Sequence, residues 1–376
     1  MAASTFFSSA FNPEIWSRMP FHFWTVVFFV FGCNIGSFLN VCIHRMPLGQ
    51  SIVSPPSHCP HCKYSIPWYL NIPLVTWLWL RGKCRNCGAP ISVRYFLVEL
   101  LTGLTFLACW IAFGHQSAAL ALIYSGFLSG LIVATFIDFE HFIILDEITI
   151  GGMAVGVVLS LIFWQLHDQK TWLGSVWQSL LGLGVGAGVI YFILRAGKLL
   201  FGRQRIEVPD EAKVVFSETG VYIADKEIPY EELFYRRSDV VTLHARTVEL
   251  ADRCYRDVRV RLTPQKLQIG DDEFNPEEVP HMEAASAEIV LPREAMGFGD
   301  VKFMAAIGAF LGWQAVIFSL MASSIVGSVV GITLIVMRKR EWSSRLPYGP
   351  YIALAAAIWI FGGKHFFEML FAARNY

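Results

Sequence analysis

Long apolar segments separated by charged loops constrain this chain more than any other feature. A helix of about 20 apolar residues is long enough to cross a lipid bilayer. Segments of about this length lie at roughly 20–42, 95–114, 117–137, 148–166, 172–194, 314–337 and 347–372, and a shorter one at 301–313. Only 16% of the 376 residues are charged, whereas soluble domains average about 25%. The pattern predicts a polytopic α-helical membrane protein with about eight transmembrane helices.

The positions of Lys and Arg give the predicted orientation. In membrane proteins these residues are concentrated in the cytoplasmic loops. Basic clusters lie in the loop 43–94, at 195–205 and at 338–340. If the short segment 301–313 crosses the membrane, all three clusters fall on one side. With seven crossings the last cluster would lie outside, so we expect eight crossings with these loops in the cytoplasm.

Five stretches of different composition divide the chain. They are an N-terminal segment with the first helix (1–42), a cytoplasmic loop (43–94), helices two to five (95–202), a soluble insert (203–292) and the last three helices (293–376). The insert is charged and alternates apolar with polar residues, which is typical of β-strands. A β-rich soluble domain is therefore expected between the fifth and sixth helices.

Two stretches of the insert are similar in sequence. Residues 214–233 align with residues 260–279, and identical residues such as Val214 and Val260 coincide. Chance similarity between short amphipathic strands would give a related pattern. We favour two tandem β-rich units of similar build, an internal repeat.

Two Cys-x-x-Cys pairs lie in the cytoplasmic loop. Their cysteines are Cys59, Cys62, Cys84 and Cys87. The spacing is close to that of four-cysteine zinc sites, and a reducing cytoplasm favours metal over a disulfide. Metal is also favoured over free thiols. His58 and His61 could substitute as ligands, but we expect them to flank the site. No open coordination position is implied, so the zinc should be structural.

Two aspartates stand where apolar segments meet the polar side of the membrane. Asp138 ends one segment, and Asp300 begins another within Gly-Phe-Gly-Asp-Val-Lys at 297–302. Carboxylates at the membrane edge are energetically costly and usually functional. Two that meet could share a proton and activate a water molecule, as in an aspartic protease. With eight crossings, both aspartates lie on the cytoplasmic side.

The neighbouring residues have narrower expected roles. Gly297 and Gly299 allow a tight backbone turn that brings the following aspartate close to substrate. Lys302 could pair with a carboxylate or with lipid headgroups. Asp146 is a rival for the first aspartate position, although it also suits the N-cap of the next helix. We favour Asp138.

Six motifs, in order along the chain, resemble those of the prepilin peptidase family, which are GxGD-type aspartyl membrane proteases. They lie at 36–47, in the two cysteine pairs, and at 71–82, 92–100, 137–149 and 297–302. The resemblance implies that Asp138 and Asp300 form the catalytic dyad. It also implies removal of the leader peptide from type IV prepilins or type II secretion pseudopilins, at the cytoplasmic face of the bacterial inner membrane.

The resemblance implies a second activity and raises the question of the insert. Family members often N-methylate the new N-terminus with S-adenosylmethionine, an activity that no motif in this chain indicates independently. Typical members lack the insert, which we expect to gate substrate access or to dock a pilus or secretion component. The formal net charge is zero, so nothing points to a nucleic acid partner.

Two other functions are compatible with parts of the pattern. One is a GxGD intramembrane protease of the presenilin or signal-peptide-peptidase type, whose members lack the cysteine loop and the motif at 36–47. The other is an ion- or proton-coupled transporter, which inverted repeats in the membrane half would support. The sequence displays no such repeats, so a prepilin peptidase is the preferred prediction.

Overall fold

The computed structural model describes residues 21–208, 213–223, 226–234, 239–292, 297–337 and 346–372. The chain forms two compact units, one comprising Met1–Ile190 with Phe298–Tyr376 and the other Tyr191–Gly297. The basic cluster at 338–340, which contributes to the predicted orientation, lies outside the described residues.

Helices build the first unit. Along the chain, the α-helices of the described residues are α1 (Phe21–Arg45), α2 (Val75–Trp79), α3 (Val93–Phe113), α4 (Ala118–His141), α5 (Asp146–Ile162), α6 (Trp172–Phe201), α7 (Tyr230–Leu233), α8 (Phe298–Leu311), α9 (Trp313–Val336), α10 (Gly349–Ile358) and α11 (Lys364–Ala372). Helix α7 belongs to the second unit, and α6 runs from the first unit into the second.

Six helical stretches of the described residues are long and apolar enough to cross a membrane. They are Phe21–Leu48, Val93–Phe113, Ala118–His141, Trp172–Leu199, Trp313–Val336 and Gly349–Met369. The other two predicted crossings correspond to α5, with 17 residues, and α8, with 14 residues. The predicted polytopic helical membrane fold is confirmed, while the count of eight stays a prediction.

Short polar side chains fix where two membrane helices begin. The Ser92 hydroxyl accepts the N–H of Arg94 at 3.2 Å before α3, and the Ser117 hydroxyl accepts the N–H of Leu120 at 3.4 Å before α4. These bonds satisfy N–H groups that have no partner within the helix. At the other end of α4, Phe142 adopts a left-handed conformation with φ 56°, which ends the helix.

Glycines let the membrane helices approach closely. A Cβ on Gly36 of α1 would lie 2.7 Å from the Cα of Glu99 in α3. A Cβ on Gly182 of α6 would lie 2.1 Å from the carbonyl oxygen of Gly308 in α8. In lipid, helix association depends on such close packing, because no hydrophobic effect drives one helix onto another.

A nine-stranded antiparallel sheet builds the second unit. Its strands are β1 (Arg203–Glu207), β2 (Val214–Phe216), β3 (Gly220–Ile223), β4 (Lys226–Pro229), β5 (Val241–Glu249), β6 (Cys254–Leu262), β7 (Leu267–Ile269), β8 (Asp272–Phe274) and β9 (Met282–Pro292). Their order is β4-β3-β2-β9-β5-β6-β7-β8, and β1 also pairs with β9. Alternate residues of the strands, such as Val241, Leu243 and Ala245, form the buried core, as the period of two predicts.

The same order of elements recurs at the offset of the predicted repeat. Strands β2, β3 and β4 and helix α7 correspond to the end of β6, to β7, to β8 and to a 3₁₀ turn at Pro276–Glu278. Val214 pairs with Ile223 across the sheet, and Val260 pairs with Ile269 in the same way. Residues that are equivalent in sequence therefore occupy equivalent positions of the register.

Candidate active site and metal centre

Asp138 lies in the last turn of α4 and is 6% exposed. Its Oδ2 accepts the backbone N–H of Gly349, the first residue of α10, at 2.9 Å. A Cβ on Gly349 would lie 2.7 Å from this oxygen, so a larger residue would displace the carboxylate. Sequence reasoning missed this contact. The pair Gly349-Pro350 signals only the start of a helix.

Asp300 lies in the first turn of α8 and is 8% exposed. Helix α8 packs on α4 through the rings of Phe310 and Phe127, whose centroids are 4.5 Å apart. The preceding Gly299 lies against Ile144, since an added Cβ would be 3.2 Å from the Cβ of Ile144. Close packing thus fixes the backbone immediately before this aspartate.

Ile144 links the surroundings of the two aspartates. Its Cδ1 would lie 3.2 Å from a Cβ on Gly349, the residue bonded to Asp138, and its Cβ lies near Gly299, the residue before Asp300. Ile144 belongs to the short connection between α4 and α5. The residue bonded to Asp138 and the residue before Asp300 therefore contact one common side chain.

Lys302 and Asp146 form an ion pair between α8 and α5. The Nζ and Oδ1 atoms are 2.6 Å apart. The sequence left two partners open for Lys302, a carboxylate or lipid headgroups. In the structure its ammonium group binds a carboxylate. The expected N-cap role of Asp146 is wrong, because α5 begins at this residue, its N-cap is Leu145, and no side-chain bond caps the helix. The long-range ammonium partner holds the carboxylate instead.

The two cysteine pairs come together in the loop 43–94, the cysteine loop. Sγ of Cys59 lies 3.8 Å from Sγ of Cys87, and Sγ of Cys62 lies 4.0 Å from Sγ of Cys84. All four sulfur atoms lie within 4.8 Å of one another, so the group could hold a metal ion. His58 is directed elsewhere, since its Nδ1 lies 2.9 Å from the carbonyl oxygen of Pro56.

Local donors favour the thiolate at two of the four cysteines. The side-chain amide of Asn86, followed by the backbone N–H of Tyr64, lowers the pKa of Cys62 to about 6. The backbone N–H groups of Cys87 and Asn86 also lower the pKa of Cys84. Although the backbone N–H of Ala89 lowers it, burial and the neighbouring thiols together raise the pKa of Cys87 to about 11. Thiolates are the form that binds metal, so two of the four positions favour that form.

A buried carboxylate ties the segment between the cysteine pairs to α3. Glu99 is 8% exposed and accepts the N–H of Leu74 at 2.7 Å. Leu74 has φ 62°, an uncommon conformation for leucine, directly before α2. The Trp77 ring of α2 packs on Phe96 of α3. Sequence reasoning missed Glu99, although its position in the apolar run 95–114 was the signal available.

Two family models match most of the helical part of the chain. The Bacterial Peptidase A24 N-terminal domain matches residues 30–113, and the Type IV leader peptidase family matches residues 125–204 and 284–332. Residues 205–283 separate the two matched segments of the second model. Most of the nine-stranded sheet is therefore an insertion relative to that model.

Relatives named prepilin leader peptidase/N-methyltransferase match this chain, two of the following three over most of its length. The Aeromonas hydrophila protein is 28% identical over 376 residues, covering 93% of this chain and 94% of its own. The Myxococcus xanthus protein is 49% identical over 150 residues, 38% of this chain and 43% of its own. The Stutzerimonas stutzeri protein is 26% identical over 360 residues, which cover 88% of this chain and 89% of its own. No solved structure matches. The family predicted from the six motifs is thus confirmed, and the chain belongs to the prepilin leader peptidase family.

Proposed function

We propose that this protein is a membrane-embedded aspartic endopeptidase that removes the leader peptide of type IV prepilins or type II secretion pseudopilins. The observation that carries the proposal is that Asp138 and Asp300 are both buried, and that the residue bonded to the first and the residue preceding the second contact the same side chain, Ile144. Family membership supports the reaction, because a relative that matches 93% of this chain carries the name of this peptidase.

The two aspartates are proposed to share the proton transfers of hydrolysis. One carboxylate removes a proton from water as the water oxygen attacks the scissile carbonyl carbon. The other, protonated, donates a hydrogen bond to the carbonyl oxygen. When the tetrahedral intermediate collapses, the C–N bond breaks and the departing nitrogen takes a proton from the dyad. The Gly349 N–H orients Asp138 for this task.

Asp146 is proposed to hold two helices in position and not to take part in proton transfer. Its side chain is 57% exposed and is bound by Lys302, whereas Asp138 is almost fully buried. A carboxylate held by an ammonium group is poorly suited to share a proton with a second carboxylate. Lys302 therefore joins α8 to α5 and steadies the turn that carries Asp300. Gly299 is proposed to let the backbone before that aspartate pack close to Ile144, and the exposed Gly297 to bring the aspartate close to substrate.

The four cysteines are proposed to hold one structural zinc ion. Thiolate sulfurs at about 2.3 Å from a tetrahedral zinc ion are roughly 3.8 Å from each other. The separations of 3.8 Å and 4.0 Å agree with this geometry. Because four protein ligands fill the coordination sphere, the ion would hold the loop together and would not take part in hydrolysis.

N-methylation of the new N-terminus is proposed from the names of the relatives alone. The methyl donor would be S-adenosylmethionine. The glycine run at 182–188 lies inside α6 and packs on α8, so it forms no nucleotide-binding loop. We assign no residue of this chain to the donor.

The protein is proposed to cross the bacterial inner membrane eight times, with the dyad and the cysteine loop facing the cytoplasm. Helices α5 and α8 would supply the two crossings beyond the six long helices. Most of α8 is buried by protein, so a 14-residue helix can lie at membrane depth without exposing its backbone ends to lipid. The insert would gate substrate access or dock a pilus or secretion component.

Cleavage of a prepilin-like peptide by the full-length protein in nanodiscs tests the proposal. Asp138→Asn and Asp300→Asn should each lower kcat by about 10²–10⁴-fold, the usual effect of a lost acid–base group. Asp168→Asn is the control. This exposed aspartate lies in the loop after α5 and pairs with Lys364, the first residue of α11. Mass spectrometry of the new N-terminus reports the cut site and any added methyl group.

Three outcomes would contradict parts of this proposal. Full activity in both dyad variants would remove the aspartic mechanism. Loss of activity in Asp146→Asn with retention in Asp138→Asn would reassign the first aspartate. If deletion of residues 206–290 changed neither the rate nor the choice of substrate, the insert would have no docking role.

A further inference from the structure

A cavity of about 380 Å³ lies between the two halves of the repeat in the insert. Phe216 and Tyr230 line it from the first half, and Leu262 and Pro276, their equivalents in the second, line it from the other side. Strands β2 and β6 are separated in the sheet by β9 and β5. Flat strands lie about 4.8 Å apart, so the two halves meet around one cavity because the sheet curls.

The floor of the cavity is apolar and its rim is acidic. Phe216, Leu262 and Met282 of the floor are all buried. Glu218 and Glu277 are exposed and line the rim from opposite halves. Among the residues that the structure describes, no Lys or Arg lines the cavity. A ligand that fits both surfaces carries a positive charge beside an apolar group.

A lysine beside one of the lining residues is already paired with a carboxylate. Lys266, next to the lining residue Leu267, is bound by Glu273. Burial raises the pKa of Tyr230 to about 12, so its hydroxyl adds no charge at neutral pH and can donate a hydrogen bond. Binding pockets at the mouths of curled sheets commonly combine an apolar lining with a few polar groups, with volumes of about 300–1,000 Å³. This cavity is at the small end of that range, which suits a few side chains of an extended peptide.

We propose that the cavity binds a short peptide segment in which Lys or Arg adjoins apolar side chains, and that this segment is the cytoplasmic flank of the substrate. The second part rests on the proposed peptidase function. A membrane-anchored protein carries its excess of Lys and Arg on the cytoplasmic side. That flank is complementary in charge to Glu218 and Glu277. The insert would thus add a substrate-binding subsite that the family model does not include.

Direct binding provides the first test. The full-length protein in phosphatidylcholine nanodiscs is titrated with a fluorescent heptapeptide of alternating Lys and Leu, with empty nanodiscs as the blank. We expect saturable binding that weakens with salt, and no binding of the corresponding Glu–Leu peptide. Glu218→Gln combined with Glu277→Gln should weaken binding about 3- to 10-fold, as expected for two partly exposed charge contacts.

A matched double variant controls for the overall charge of the insert. Glu207 and Glu288 are exposed and stand opposite each other on β1 and β9, and neither lines the cavity. Changing both to Gln removes the same charge and should leave affinity unchanged. The proposal is overturned if both peptides bind equally, or if the cavity variant and the control variant bind like wild type.

Kinetics separate this inference from the peptidase proposal. For a prepilin-like substrate with a Lys-rich flank, the cavity variant should raise KM and leave kcat unchanged. For the same substrate with the flank neutralised, the variant and wild type should coincide. An unchanged KM for the basic substrate refutes the link to substrate. If wild type cleaves no such substrate, the peptidase proposal fails, while the heptapeptide titration still decides whether the cavity binds a cationic peptide.

Discussion

Gly349→Ala tests how strictly the position of Asp138 matters. The added Cβ would lie 2.7 Å from Oδ2 of Asp138, where ordinary contact begins at 3.4 Å, and 3.2 Å from Cδ1 of Ile144. To restore ordinary contact with the new Cβ, the carboxylate has to move by about 0.7 Å, and its bond from the Gly349 N–H is strained. Misplacing a catalytic group by about 1 Å can cost about 100-fold in rate. We expect kcat to fall roughly 10- to 100-fold.

Gly130→Ala is the matched control for this change. Gly130 lies on the same helix as Asp138, and an added Cβ there meets nothing within 4 Å. This variant should retain full kcat and should melt at or slightly above the wild-type temperature, since Ala favours the helix by about 0.5–1 kcal/mol over Gly. Cleavage of a prepilin-like peptide is measured for both variants at matched folded fraction. Wild-type kcat in Gly349→Ala would refute the view that its contact with Asp138 positions a catalytic group.

Three further perturbations address the rest of the first unit. Lys302→Met should lower the free energy of unfolding by about 1 kcal/mol or less, because its partner Asp146 is more than half exposed; a thermal melt checks this, and a large loss would contradict it. Cys84→Ser should abolish the zinc measured by elemental analysis, whereas Cys254→Ser, an exposed cysteine outside the ligand group, should retain it; equal zinc in both would refute the proposed site. Burial lowers the pKa of His167 from 6.5 to about 4, so stability should be full above pH 6.5 and fall as the pH drops toward 4, by at most about 1.4 kcal/mol per pH unit. Melts at pH 7 and pH 5 should show a smaller difference in His167→Gln, and an equal difference would refute this account.

Local patterns were sufficient for the membrane helices, the strands and the cysteine group. An apolar run of sufficient length has few alternatives to a membrane helix, and alternation between Val241 and Ala245 matches the pleat of a half-buried strand. Each cysteine pair sits in a short turn whose geometry follows from its own few residues. These features depend on neighbours within a few positions along the chain, so they can be predicted from sequence.

Predictions failed or stayed open where partners come from distant segments. Asp146 was expected to cap its own helix, but its carboxylate binds Lys302, 156 residues away. Asp138 is held by Gly349, 211 residues away, and Glu99 is held by a backbone group in the cysteine loop. Local preferences such as capping are worth about 1 kcal/mol, so a nearby ammonium group or an unsatisfied buried carboxylate can override them.

Residue order alone was enough to establish the family, the helical membrane architecture and the two aspartates worth testing. The folded molecule decided which acids are buried, which glycine leaves space for Asp138, and that two halves of the insert line one open cavity with an acidic rim. The difference has a physical cause. Periodicity and spacing record what each segment needs locally, whereas contacts across hundreds of residues exist only after the helices have packed and the sheet has curled.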